Sequence, residues 1–127
     1  MSHFTTMKTR LVNRKYLVAA LKDLGFQPQE GPVRIRGYEG QETEVEVKVP
    51  TGNPEYDLGF RKVGKTYELV ADWYGITDIR AKTFMAQLLQ RYAYHAVSAQ
   101  VQARGFEIVE DESLQDHTIH LTLRRCI

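Results

Sequence analysis

The stretch GPVRIRGYEGQETEVEVKVP, residues 31–50, decides how the rest of the chain is read. Val33 and Ile35 alternate with Arg34 and Arg36, and Val45, Val47 and Val49 alternate with Glu44, Glu46 and Lys48. A period of two puts successive side chains on opposite faces, so each run predicts a strand with one apolar and one charged face. Gly37-Tyr38-Glu39-Gly40-Gln41 supplies the glycines that a reversal needs, which makes the pair a hairpin. Its charged face sets arginines near glutamates across the ladder. Such pairs help fix register and add roughly 0 to 1 kcal/mol each at a surface.

The same grammar extends outward. After the turn TGNPEYD, Tyr56, Leu58 and Phe60 alternate up to Val63-Gly64-Lys65, and Tyr67, Leu69, Ala71 and Trp73 alternate back, a second hairpin. Upstream, HFTTMKTRLV carries Phe4 and Met7 and reads as an opening strand. Asn13 then caps a helix whose Tyr16, Leu17, Ala20, Leu21 and Leu24 recur at helical spacing until Gly25 ends it. Downstream, Asp78 is the expected N-cap of a long helix through IRAKTFMAQLLQRYAYHAVSAQVQAR to Gly105. FEIVE and HTIHLTLRR follow as two strands joined by DESLQD. Helices separated by runs of strands predict an α+β fold: a mostly antiparallel sheet with two helices packed on one face, in the order β-α-β-β-β-β-α-β-β. The chain of 127 residues fits a single domain, residues 1–127.

Composition sets the broad class. Lys plus Arg number 17 and Asp plus Glu 16, a balance that gives no general attraction to polyanions. Cys126 is the single cysteine, which excludes an intramolecular disulfide and any zinc knuckle of paired cysteines and fits a reducing compartment. The N-terminal residues lack the apolar core of a signal peptide, and no run approaches the roughly 18 to 20 apolar residues of a membrane span. The expectation is a cytoplasmic protein with no membrane insertion.

Stepping about 100° per residue around the long helix puts Ala81, Met85, Leu88, Tyr92, Ala96, Ala99 and Ala103 on one stripe, flanked by Phe84 and His95. That stripe faces the sheet. Tyr94, Val97 and Val101 turn away from it, near Arg91, and a grouped apolar strip on what should be the wet side is a candidate partner-binding surface. The alternative is that the first helix or the C-terminal hairpin covers the strip.

Catalytic signatures are missing. Gly64-Lys65-Thr66 lacks the upstream glycine of a phosphate-binding loop and sits between strands rather than before a helix. His117 and His120, three apart on a strand, point to opposite faces, and no metal or cofactor is expected. Asp57, Glu68 and Asp72 are the nearest approach to an acid-base group, yet parity puts Glu68 and Asp72 opposite the apolar face, where they are expected to be solvated.

Taken together, MSHFTTMKT, GPVRIRGYEGQ, YDLGF, YELVADWYG, QRYAYHAV and GFEIVEDESLQDHTIHLTLRR resemble, nearly end to end, the hypothetical chloroplast reading frame thirty-five family of cyanobacteria and algal plastids. The resemblance implies a cyanobacterial cytosol or plastid stroma and no reaction. The leading reading is therefore a small non-catalytic binding or adaptor subunit of a larger assembly, with Tyr94, Val97, Val101 and Arg91 toward a protein partner. Arg34, Arg36, Tyr38 and Glu44 form a candidate sheet face, and open sheet edges admit a second copy. A second reading is a small-molecule or enzymatic pocket between sheet and long helix, using Tyr92 and His95. The third is single-stranded nucleic-acid binding by Arg34, Arg36, Arg61 and Lys62 beside Tyr38 and Trp73, disfavoured because glutamates interleave with the arginines.

Overall fold

The computed structural model describes residues 3–112 and 119–125; residues 113–118, with His117, and Cys126 lie outside them. The elements run β1 (Thr5–Lys8), α1 (Arg14–Asp23), β2 (Gln29–Arg36), β3 (Glu42–Pro50), β4 (Asp57–Val63), β5 (Thr66–Ala71), α2 (Ala81–Ala103), β6 (Phe106–Glu112) and β7 (Ile119–Arg125). The α+β class and the order β-α-β-β-β-β-α-β-β are those read from the alternation. Two compact units divide the chain, residues 1–92 and residues 93–127.

In the first unit, five strands form an antiparallel sheet in the order β1-β5-β4-β3-β2. Leu58 and Phe60 of β4, Val47 and Val49 of β3, and Tyr67, Leu69 and Ala71 of β5 are buried in one cluster with Leu17, Ala20 and Leu21 of α1 and Phe84, Met85 and Leu88 of α2. Each leucine or phenylalanine so buried contributes about 1.5 to 3 kcal/mol relative to an exposed one. Asn13 caps α1 by accepting from the Tyr16 N–H at 3.1 Å, and Gly25, at φ +90°, takes the left-handed turn that stops it.

The β2–β3 hairpin does what alternation alone does not foresee. β3 pairs with β4 only from Val47 to Pro50, although it begins at Glu42. Parity puts Val45, Val47 and Val49 on one face, yet Val45 leaves the main core and clusters with Ile35 and Val70. The strand therefore turns about its own axis between Val45 and Val47. This coil takes the hairpin across the back of β4 and β5. Gly59 makes room for the crossing: a Cβ there would lie 2.8 Å from Val45 Cγ1 and 3.1 Å from Ile35 Cδ1.

Three expectations change. Asp72 is buried, not solvated, because the face that parity gives it is the one the hairpin covers, and Asp57 is buried as well. Trp73 is not in a strand: β5 ends at Ala71, and Asp72 Oδ1 accepts from the Tyr74 N–H at 3.2 Å, folding Trp73–Gly75 into a 3-10 turn. Asp78 does not cap α2, which starts three residues later with the Phe84 N–H bonding to Arg80 O at 2.8 Å; the Asp78 carboxylate accepts instead from the Gly52 N–H at 3.0 Å.

In the second unit, β6 and β7 pair antiparallel only with each other, in register from Phe106 opposite Arg125 to Glu112 opposite Ile119. The sheet is thus in two pieces rather than one.

Candidate functional site

One end of the first unit's sheet gathers the charged and aromatic residues. Asp57 opens β4, and its Oδ2 accepts from the Arg36 backbone N–H at 2.9 Å and from Arg36 Nε at 3.2 Å, with Lys48 Nζ at 3.8 Å. Asp72, just past β5, accepts from the Tyr38 N–H at 3.0 Å. Two buried carboxylates thereby hold consecutive parts of the hairpin tip. Charge-assisted bonds of this kind are about twice as strong as neutral ones, and they compensate the desolvation of both acids. The same contact raises the Arg36 guanidinium further above its ordinary pKa, through hydrogen bonding and then the charge of Asp57.

The aromatic rings lie over this anchor. Tyr38 and Tyr74 meet edge to face with centroids 5.6 Å apart, and Tyr74 is well exposed. Tyr56 is buried against Gly75, where even a methyl group would strike its ring. Burial, and then the charge of Asp72, push the Tyr56 phenol above its usual pKa, so it stays protonated through the neutral range. Arg36, Glu39, Gly40 and Glu55 line an adjoining cleft of about 310 Å³. Glu39 holds the left-handed conformation at φ 53°, rare for a non-glycine residue. The carboxylates of Asp57 and Asp72 are both occupied in holding backbone N–H groups.

Of the candidate sheet face, Arg36 and Tyr38 join this anchor, while Arg34 pairs with Glu42 at 3.5 Å and Glu44 stands exposed opposite Arg34. Arg61 holds Glu68 at 3.1 Å and reaches Thr43 at 3.3 Å, and Lys62 lies over the Tyr67 ring. The cations considered for nucleic acid are thus engaged within the chain, the arginines with carboxylates and Lys62 with a ring. Among the described residues no group of three or more His, Cys, Asp and Glu side chains is placed to hold a metal ion.

Along α2 the candidates separate. Arg91 turns back to α1 and bonds to Asp23 at 2.9 Å. Tyr92 meets Tyr16 edge to face, and its phenol oxygen accepts from the Val12 and Asn13 N–H groups at 3.2 and 2.9 Å, which fixes the chain just before α1. Tyr92→Phe should therefore cost about 1 to 2 kcal/mol in urea unfolding by stranding two donors; a change below about 0.5 kcal/mol would show that water replaces the phenol. In the second unit Tyr94 and His95 are half-buried and meet edge to face at 5.3 Å, Val101 is half-buried, and Val97 is exposed. Tyr92 and His95 accordingly lie in different units.

Sequence reasoning missed the anchoring roles of Asp57 and Asp72. One signal was available: a glycine inside a strand, here Gly59, often marks the close approach of another segment.

The segments that meet at the anchored end, GPVRIRGYEGQ, YDLGF and YELVADWYG, are three of those that carry the family resemblance. Comparison bears the resemblance out. The family model described as "Protein of unknown function (DUF1257)" matches residues 20–122. The chain belongs to this family. Relatives named "Uncharacterized protein ycf35" are similar to it from end to end: 36% identical in Cyanophora paradoxa and 34% in Guillardia theta, each covering 98% of both chains. In Pyropia yezoensis the identity is 30% over the same share. No solved structure matches this DUF1257 chain. Among the described residues, no helix of this family member is long and apolar enough to cross a membrane.

Proposed function

We propose that this chain is a small non-catalytic binding or adaptor subunit of a larger assembly, acting in a cyanobacterial cytosol or plastid stroma. The observation that carries this is the state of the second unit. Among its described residues no apolar side chain is fully buried, while Val97 and Val109 are each 41% exposed and Leu123 56%. A two-stranded sheet is marginal in water without a further layer to pack on. A partner covering Tyr94, Val97 and Val101 would provide such a layer. The commitment of Asp57 and Asp72 to backbone N–H groups supports a binding role over acid-base chemistry.

The test is affinity purification of the tagged protein from its own cells, beside a Val97→Asp, Val101→Asp variant shown by circular dichroism to keep its fold. Specific proteins should co-purify with the parent and fall at least tenfold with the variant. Equal recovery of the same proteins with both would overturn the assignment of this strip.

A further inference from the structure

The cleft beside the hairpin tip holds negative charge that the chain itself does not use. Glu39 and Glu55 line it and are exposed, and among the described residues neither carboxylate makes a hydrogen bond or an ion pair. The cation of the cleft is already taken: Arg36 donates from Nε to Asp57 Oδ2 at 3.2 Å and from Nη2 to Asp57 Oδ1 at 3.5 Å. Lys48 Nζ stands 3.8 Å from the same carboxylate, so Arg36 and Lys48 match the buried Asp57 and Asp72 in number. Arg34 is paired with Glu42. The charges of Glu39 and Glu55 are left uncompensated.

Aromatic rings border the same acids. Tyr38 precedes Glu39 in the turn Tyr38–Gly40 and meets Tyr74 edge to face at 5.6 Å, and Tyr74 is 71% exposed. Tyr38, Tyr74 and Glu55 all lie close enough to the Tyr56 phenol to act on it electrostatically, which gathers them about one point. This combination selects an occupant. The acids repel an anion, and an apolar group would desolvate them unpaired. A cation satisfies the carboxylates and is attracted to a ring face as well, and a planar guanidinium can both fork onto carboxylates and stack on a ring. The cleft of about 310 Å³ is at the low end of ligand cavities, which suits a single side chain.

We propose that this cleft binds an arginine side chain presented by an extended segment of a protein partner, with the guanidinium at Glu39 and Glu55 and against the Tyr74 ring. The proposal uses the hairpin tip and the turn after β5 and no residue of α2. It therefore stands or falls independently of the strip at Val97 and Val101.

The test is an amide NMR titration of the isotope-labelled full chain with acetyl-Gly-Arg-Gly amide, beside the same peptide carrying lysine or uncharged citrulline in place of arginine. The arginine peptide should shift the amides of Glu39, Gly40, Glu55 and Tyr74. It should bind about threefold more tightly than the lysine peptide and at least about tenfold more tightly than the citrulline peptide, a comparison that needs no change in the protein. Glu39→Gln with Glu55→Gln should weaken binding about tenfold, and Tyr74→Leu about two- to fivefold, the range of an exposed cation–π contact. Glu30→Gln removes an exposed acid outside the cleft and should change the affinity by less than about twofold. Shifts confined to other residues, equal binding of the citrulline peptide, or a loss with Glu30→Gln as large as with the cleft pair would overturn the site. Equal binding of the lysine peptide would overturn the choice of guanidinium, and free arginine binding as tightly as the peptide would overturn the protein partner.

Discussion

Asp57→Ala is expected to cost about 3 kcal/mol of stability and to free the tip of the β2–β3 hairpin. The carboxylate is 1% exposed and gathers the Arg36 N–H, Arg36 Nε and Lys48 Nζ within 2.9 to 3.8 Å. Removing one partner of a buried ion pair costs about 3 to 5 kcal/mol when the other charge stays buried. Here the Arg36 side chain is 43% exposed and regains water, which places the effect at the lower end. Asp57→Asn keeps the shape and one acceptor for the Arg36 N–H, so it should lose less. Urea unfolding gives the stabilities, and amide exchange at residues 36–41 shows the local release. A loss under about 1 kcal/mol for the alanine variant would mean that the hairpin is held by its apolar contacts alone.

Those apolar contacts are probed by Gly59→Val, expected to cost about 3 kcal/mol. A Cβ at this position already lies 2.8 Å from Val45 Cγ1 and 3.1 Å from Ile35 Cδ1, and valine adds two methyl groups to that space. Overpacking a tight contact costs about 1 to 3 kcal/mol, and the neighbours here belong to a backbone fixed at Asp57 and Asp72. Combining Gly59→Val with Val45→Ala should recover at least about 1 kcal/mol of the sum of the single effects, the coupling expected of residues in contact. Strict additivity would place Val45 away from Gly59 and contradict the crossing.

What the sequence reveals divides by range. Local signals were legible: Asn13 and Gly25 bound α1 as their capping chemistry requires, and the valines of β3 and the aromatic and aliphatic positions of β4 and β5 mark the core face. The errors lie where a distant segment arrives. Parity says correctly that Asp72 is on the face opposite Leu69, but burial depends on whether anything covers that face, and the hairpin does so only because β3 turns between Val45 and Val47. Asp78 has the right identity and position for a cap, yet it serves the Gly52 turn. For the candidate surfaces, Val97 is exposed, whereas the ion pair of Arg91 with Asp23 and the two N–H groups bound by Tyr92 depend on α1 and the residues before it. Family membership was the most legible property, since it rests on residue identity rather than on geometry.

The hairpin's anchors also bear on the order in which the molecule assembles. Arg36 reaches Asp57 across 21 residues and Tyr38 reaches Asp72 across 34, whereas β4 and β5 close through a turn at Gly64. Contacts that span more chain carry a larger loop-closure penalty and tend to form after local pairings. The two anchors are therefore expected to form after the β4–β5 hairpin, on the native side of the folding barrier. Loss of an anchor will shorten the lifetime of the folded state while leaving the folding rate nearly unchanged. On this expectation the two buried aspartates form a kinetic clasp, setting how long the protein stays folded rather than how fast it gets there.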